Sequence, residues 1–358
     1  MLQSGYINFF EVNKCGLYRL FNETPKALEL EETIAKLKDW KEGRNFEATN
    51  PWDPKRNRNK TPCFCHEIHH NENTGDFLLV LWKGDSDRHG PLYGITINPD
   101  GSTEKAIKQT QTNSKKPMVW GRPSYYWVIP ELNIIASIKF ENSRCDSAMF
   151  QDWVTGCINL RVDLPDHKKT LTEKGFTRIQ MPDGDADQYR YSFQFDLSMK
   201  SLSTSSAEMT ELTKRVTHII RRETVTIKNV DKRKGFAKFF QRFEVPYISA
   251  ENQSTRRVEL KIEAKPTVEE IKQIITQYAS DHEAGTWEDV GFSVDNTTKT
   301  VWASKYRLTE NISVEDHGEP ILTAERLYAT ILGNRDKYLD PIRKDLELDS
   351  IKQAAAHA

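Results

Sequence analysis

Ten lysines and arginines fall between Lys214 and Arg242, against only two acids, Glu223 and Asp231. Cations at this density neutralise phosphates and release counterions, which is the chemistry of a contact for a phosphate-rich partner. Lys214, Arg215, His218, Arg221 and Arg222 come first. The stretch Asp231-Lys-Arg-Lys-Gly-Phe-Ala-Lys-Phe-Phe-Gln-Arg242 then sets Lys232, Arg233, Lys234, Lys238 and Arg242 among phenylalanines. Cations beside aromatic surface suit both phosphates and unstacked bases. Arg56, Arg58 and Lys60, in the polar, proline-containing loop 50–60, form a second candidate contact. The whole chain carries a formal net charge of only −1, so the basic segment is a local feature. From Asp281 to Glu319 nine acids stand against Lys299, Lys305 and Arg307. A solvated basic face paired with that acidic region is the rival reading, and such a cover would be autoinhibitory.

Two other clusters have the residue types for chemistry. Cys63-Phe-Cys65-His66-Glu-Ile-His69-His70 holds metal-ligating side chains. Tetrahedral zinc needs four converging donors. On a strand, alternation turns Cys63, Cys65 and His69 one way and His66 and His70 the other, so no metal is expected. Glu263-Ala-Lys265, at a strand end before a helix, has the form of half a metal-dependent nuclease site. That site needs a further carboxylate on a neighbouring strand, with Asp231 and Glu244 as candidates. The alternative is the solvent-facing half of a strand, Glu259, Lys261, Glu263 and Lys265. No phosphate-cradling Gly-x4-Gly-Lys-Ser/Thr loop, dinucleotide Gly-x-Gly-x-x-Gly or Gly-x-Ser-x-Gly elbow occurs, which disfavours an NTPase, a Rossmann oxidoreductase and a serine hydrolase.

The elements that position these residues follow from periodicity. Strands are expected over Tyr6–Val12, Cys63–His70, Asp76–Lys83, Tyr93–Ile97, Ser124–Ile129 and Ile134–Phe140. Helices are expected over Ala27–Leu37 and Met149–Leu160. Asn71-Glu-Asn-Thr-Gly75 is a hairpin loop. Further on, the spacing of Leu212, Val216, Ile219 and Ile220 predicts a helix over 207–222, which leaves the cations on its outer side. Strands are predicted at Tyr189–Leu197, Arg257–Ala264, Asp289–Val294 and Thr300–Leu308. Between them a helix starts at Thr267, where Glu270 three residues on completes a capping box. A last helix begins near Leu322 and is broken or kinked by Pro341.

The fold class is therefore α+β. A β-rich N-terminal domain (1–165) and a mixed α/β domain (187–358) are expected, joined by a linker at 166–186. With 358 residues, two domains are the usual expectation. Five scattered cysteines argue against a disulfide framework. No stretch has the order of a signal peptide and no apolar run could span a bilayer, so a cytoplasmic location without membrane insertion is expected.

The second half resembles RexA-type phage-exclusion proteins, chiefly over residues 256–343. The likeness is carried by Val258-Glu-Leu-Lys-Ile-Glu-Ala-Lys-Pro-Thr-Val-Glu-Glu-Ile-Lys-Gln-Ile-Ile275 running from strand into helix. It continues through Asp289-Val-Gly-Phe-Ser-Val294, Trp302-Ala-Ser-Lys-Tyr-Arg-Leu308 and the closing helix. The resemblance implies an anti-phage defence protein that binds DNA and acts through a partner effector protein, and it supplies no catalytic residues. The expected role is thus a non-enzymatic nucleic-acid-binding sensor or effector, with DNA favoured and a homodimer as a further expectation. No cofactor is expected. The alternatives are a nuclease using Glu263 and Lys265, and an interaction module docking an acidic protein.

Overall fold

The structure is a computed structural model that describes residues 2–53, 60–84, 93–103, 107–108, 117–141, 143, 147–164, 167–173, 177–180, 190–200, 210–226, 255–271, 273–274, 289–294, 300–303, 308–315, 319 and 321–356. The fold is α+β, as the patterning predicts. It divides into two compact units, one made of residues 1–203 with 307–358, the other of residues 204–306. This division differs from the expected one, because strands on both sides of the 166–186 stretch belong to the same sheet.

The larger unit is built on an antiparallel sheet around one long strand, β1 (Leu2–Arg19). Its first half pairs with β15 (Thr309–Glu315) and its second half with β10 (Tyr191–Met199). Its other edge takes β7 (Ile134–Phe140) over Gly5–Glu11. From β7 the sheet continues through β6 (Met118–Ile129) and β3 (Asp76–Gly84) to β2 (Cys63–Asn71). Beyond β10 it ends in β9 (Thr177–Gln180) and β8 (Lys168–Leu171), while β4 (Tyr93–Thr96) and β5 (Ile107–Lys108) extend from β6.

Helices cover both faces of this sheet, which explains why β3 and β7 are almost continuously apolar rather than alternating. On one face α1 (Leu30–Lys41) and α2 (Ser147–Leu160) pack their buried stripes. Phe150 of α2 stacks on Tyr126 of β6 at 4.3 Å between ring centroids. On the opposite face Ile7, Phe9, Tyr125, Trp127, Ile138 and Val314 form one core with Leu327, Tyr328, Ile331, Leu339 and Ile342. The last five come from α3 (Ala324–Leu332) and α4 (Arg335–Ala356). Removing one fully buried Phe or Ile from water contributes about 1.5–3 kcal/mol, so these two layers hold the unit together. The turn between β2 and β3 has the expected chemistry. Asn71 Oδ1 accepts from the backbone N–H groups of Asn73 and Thr74, and Gly75 sits at φ +70°.

The smaller unit holds a four-stranded antiparallel sheet, in the order β12 (Thr255–Glu263), β11 (Val216–Thr226), β13 (Asp289–Val294) and β14 (Thr300–Trp302). The capping box that follows β12 is formed as expected. Glu270 N–H donates to Thr267 Oγ1 at 3.2 Å, and Thr267 N–H donates to Glu270 Oε2 at 2.8 Å.

Two expectations are corrected. Residues 216–222 are strand, not helix. Val216, Thr217, Ile219, Ile220, Thr224 and Val225 are β-branched, and the strand is hydrogen-bonded on both sides, to β12 and β13. That pairing outweighs a helical spacing of four apolar residues. Of the break or kink expected at Pro341, the break does not occur: α4 runs through Pro341 to Ala356, and the interruption falls at Gly333 and Asn334 instead. Among the described residues no helix is long and apolar enough to cross a membrane.

Candidate nucleic-acid interface

Strand geometry redistributes the expected contact residues. Successive side chains on β11 point to opposite faces of its sheet. The register places His218, Ile220 and Arg222 on one face with Glu263, Lys261 and Glu259 of β12 and with Ser293, Gly291 and Asp289 of β13. Trp302 and Thr300 of β14 share that face. Ile219 and Arg221 turn to the other face with Leu260, Ile262, Val290 and Phe292. Phe292 is fully buried there. The single cationic helix face is therefore replaced by a mixed sheet face, and Arg221 and Arg222 lie on opposite sides.

At the centre of the mixed face, the Arg222 guanidinium lies 3.9 Å from the centroid of the Trp302 ring. Its Nε donates to Glu259 Oε2 at 2.7 Å across the strand pair. Trp302 can lie flat because the residue beneath it is Gly291. A Cβ at that position would come within 2.8 Å of the Trp302 ring and 2.4 Å of Thr300 Cγ2. On β12, Glu259, Lys261 and Glu263 are all exposed. The result is a stacked cation and indole, flanked by charged side chains of both signs.

The remaining predicted residues fall as follows. Lys214 is exposed and paired with Glu211 at 2.6 Å. Arg215 is exposed beside it, where the chain turns from Leu212 into β11. His218 is half-buried, its Nδ1 lying 3.0 Å from Thr217 Oγ1. Lys60 belongs to the larger unit, with its Nζ 5.0 Å from the Trp52 ring centroid and 3.1 Å from Asp152. Lys232, Arg233, Lys234, Lys238, Arg242, Arg56 and Arg58 lie outside the described residues.

The nuclease alternative finds its two residues at the exposed end of β12. Glu263 stands opposite His218, and Lys265 is exposed two residues on. Asp231 and Glu244 lie outside the described residues. Among the described residues, no three His, Cys, Asp or Glu side chains gather where a metal ion could sit. In β2 the expected alternation is broken by a bulge between Cys65 and Glu67. Cys63, Cys65 and His70 therefore share one face, while Glu67 and His69 take the other. His69 packs on Tyr328 of α3, 5.4 Å between ring centroids, and Cys65 is buried beneath the opposite helix layer. The extra residue of the bulge reverses the face of every ligand candidate after it.

Sequence reasoning missed Trp302 as a site residue. The signal for it is a glycine alternating with apolar residues in one strand, opposite a lone tryptophan in the next. No protein-family model matches the chain, and no curated protein or solved structure is significantly similar to it.

Proposed function

We propose that the chain is a non-enzymatic nucleic-acid-binding sensor or effector, with the four-stranded sheet of its smaller unit as the contact surface. The observation that carries this reading is the Arg222–Trp302 stack on the face shared by His218 and Lys261. An indole and a guanidinium plane on a sheet surface offer bases a stacking platform, and neighbouring cations hold the backbone. The basic run Lys232, Arg233, Lys234, Lys238 and Arg242 follows β11 in the sequence and supplies further phosphate contacts. DNA as the polymer, and a role in anti-phage defence through an effector protein, are what the RexA-type resemblance adds.

The test is a filter-binding titration at low salt with duplex and single-stranded DNA and RNA. The expected result is binding that falls steeply as salt rises, and that weakens several-fold in Trp302→Ala and Arg222→Ala. Absence of binding to all four polymers sinks the proposal. One observation favours a second reading. Arg222 is paired with Glu259 and stands in register with Asp289, so acids already occupy part of the face. An interaction module that docks an acidic protein surface uses the same cations. A partner retained after nuclease treatment distinguishes it.

A further inference from the structure

The edge of a sheet presents unpaired backbone N–H and C=O groups, and folded proteins cover, shorten or distort such edges. In the larger unit, β2 and β15 are covered. Asn50 Oδ1 and Thr49 Oγ1 accept from the N–H groups of Cys63 and Cys65 along β2, at 3.5 and 2.8 Å. Along β15, the Tyr338 hydroxyl and the Arg326 guanidinium donate to the carbonyls of Asn311 and Glu315. β8 and, in the smaller unit, β14 are short edges of four and three residues.

β12 is managed in none of these ways. It forms an edge of its sheet over nine residues, and its inner side pairs with β11 in unbroken register. It contains no proline and no glycine. Among the described residues, no side chain bonds to its outer backbone groups. Just beyond its end, Ala264 N–H donates to Thr217 O at 3.1 Å. Alternation from that pair turns the backbone groups of Val258, Leu260 and Ile262 towards β11, and those of positions 257, 259, 261 and 263 outward. The side chains of Val258, Leu260 and Ile262 are half-buried on one face, and Glu259, Lys261 and Glu263 are exposed on the other.

We propose that β12 pairs with β12 of a second copy of this chain, antiparallel about a two-fold axis at Leu260. Self-complementarity selects this occupant. Outward backbone groups meet only in registers that set odd positions against odd ones. With the axis at Lys261, Glu259 faces Glu263 and Lys261 faces itself. With the axis at Glu259, that residue faces itself and Lys261 faces position 257, an arginine. Like charges directly opposite are destabilising. An axis at Val258 sets position 256, an arginine, against Leu260, and an axis at Ile262 pairs only residues 261–263 of the strand. With the axis at Leu260, Glu259 faces Lys261 in both directions and Glu263 faces position 257. On the other face Leu260 meets its own copy and Val258 meets Ile262, so the apolar stripe continues across the join. Residues 257–263 then all pair, with about eight main-chain hydrogen bonds. The two four-stranded sheets become one, with both Arg222–Trp302 stacks on the same face. The pairing is argued from β12 alone and stands whether or not that face binds nucleic acid.

Sedimentation of the full chain, freed of nucleic acid by nuclease and high salt, tests it. The expected result is a concentration-dependent species of twice the 41.4 kDa chain mass. Lys261→Glu and Glu259→Lys each turn the two central unlike pairs into like ones, and each should weaken dimerisation about ten-fold or more. An equimolar mixture of these two variants restores unlike pairs and should regain the dimer. Both positions are exposed, and melting curves check that the variants fold. Lys261→Pro removes an outward N–H without touching the β11 ladder, and should also give monomer. In this register facing Cα atoms at 258, 260 and 262 stand about 4.5 Å apart, within reach of a disulfide. Leu260→Cys should therefore cross-link to itself on mild oxidation, whereas Val258→Cys should cross-link only with Ile262→Cys. A wild type that is monomeric at about 100 μM, where even weak association shows, overturns the proposal. So does a Lys261→Glu variant that dimerises as tightly as the wild type, or a mixture of the two folded charge variants that stays monomeric.

Discussion

Arg335, the first residue of α4, grips Asp76, the first residue of β3, with two parallel hydrogen bonds. Nε reaches Oδ2 at 2.8 Å and Nη2 reaches Oδ1 at 2.9 Å. Asp76 is fully buried and also accepts from Trp127 Nε1 and Tyr328 Oη, each at 2.9 Å. This clasp ties the C-terminal helices to the sheet. Removing one partner of a buried, bidentate pair strands the other charge, which costs about 3–5 kcal/mol. Arg335→Ala should therefore lower the urea midpoint of the larger unit markedly. Replacing both charges with apolar residues should cost less than the sum of the two single changes. A midpoint for Arg335→Ala equal to that of the wild type would show that the clasp contributes nothing.

A second tether joins the same layers and gives a pH signature. Glu67 Oε2 accepts from the backbone N–H of Ala324, the first residue of α3, at 2.7 Å. Burial pulls this carboxyl up, but the His66 ring 3.5 Å from its other oxygen and the hydrogen bond from Ala324 outweigh it and hold the group below its ordinary value. A carboxyl whose folded pKa is depressed adds stability above its unfolded value, and loses it as the pH falls through the folded value. An anion at a helix N-terminus contributes up to about 1 kcal/mol. Glu67→Gln should thus be less stable than the wild type at pH 7. The gap should close as the pH drops below the unfolded glutamate value of about 4.3. Thermal melts from pH 7 to pH 3 measure it, and a constant gap across that range contradicts the assignment.

Local signals in the sequence were legible where short-range chemistry decides the outcome. The Thr267/Glu270 capping box and the Asn71–Gly75 turn formed as read, because each is satisfied within a few residues. Ile134–Phe140 was bounded correctly because its flanking turns are strong. The failures are long-range. Whether 216–226 becomes strand is decided by partners about 40 and 75 residues away in sequence, at 255–263 and 289–294. The Cys65–Glu67 bulge leaves no mark in composition, yet it separates Cys65 from His69. Asp76 and Arg335 are 259 residues apart, and nothing local to either announces the other. The same holds for Arg44 and Arg161, which line one groove only because α1 and α2 share a face of the sheet.

The buried thiols make a chemical prediction. Cys15, Cys63, Cys65 and Cys157 are all free and buried. Burial pushes the Cys15 and Cys65 thiols up to about 12, and raises Cys157 in the same direction. The thiolate is the reactive form, so at pH 8 Cys15, Cys65 and Cys157 are held protonated, and all four thiols are inaccessible. Peptide mapping after iodoacetamide treatment should find these four unmodified in the native protein and fully modified in urea. Rapid native labelling of Cys65 would mean that the α2 layer opens readily over β2.

The Arg222–Trp302 stack depends on the absence of a side chain beneath it, and Gly291 provides that absence. A methyl group there would overlap the Trp302 ring, with its Cβ 2.8 Å from one ring carbon and 2.9 Å from a second. The smaller unit can relieve this only by moving Trp302 or by spreading β13 from β14, and overpacking of that kind costs about 1–3 kcal/mol. Gly291→Ala should therefore lower the stability of the smaller unit and change the fluorescence of Trp302. Trp302→Ala alone should remove the platform while leaving β11, β12 and β13 paired. Comparing the two variants separates the roles. If the stacked indole is the nucleic-acid contact, both variants should bind duplex and single strands more weakly, with Trp302→Ala weaker still and its salt dependence little changed, since no phosphate contact is lost. Full retention of binding in Trp302→Ala would remove the stack from the interface and leave the affinity to the cations alone.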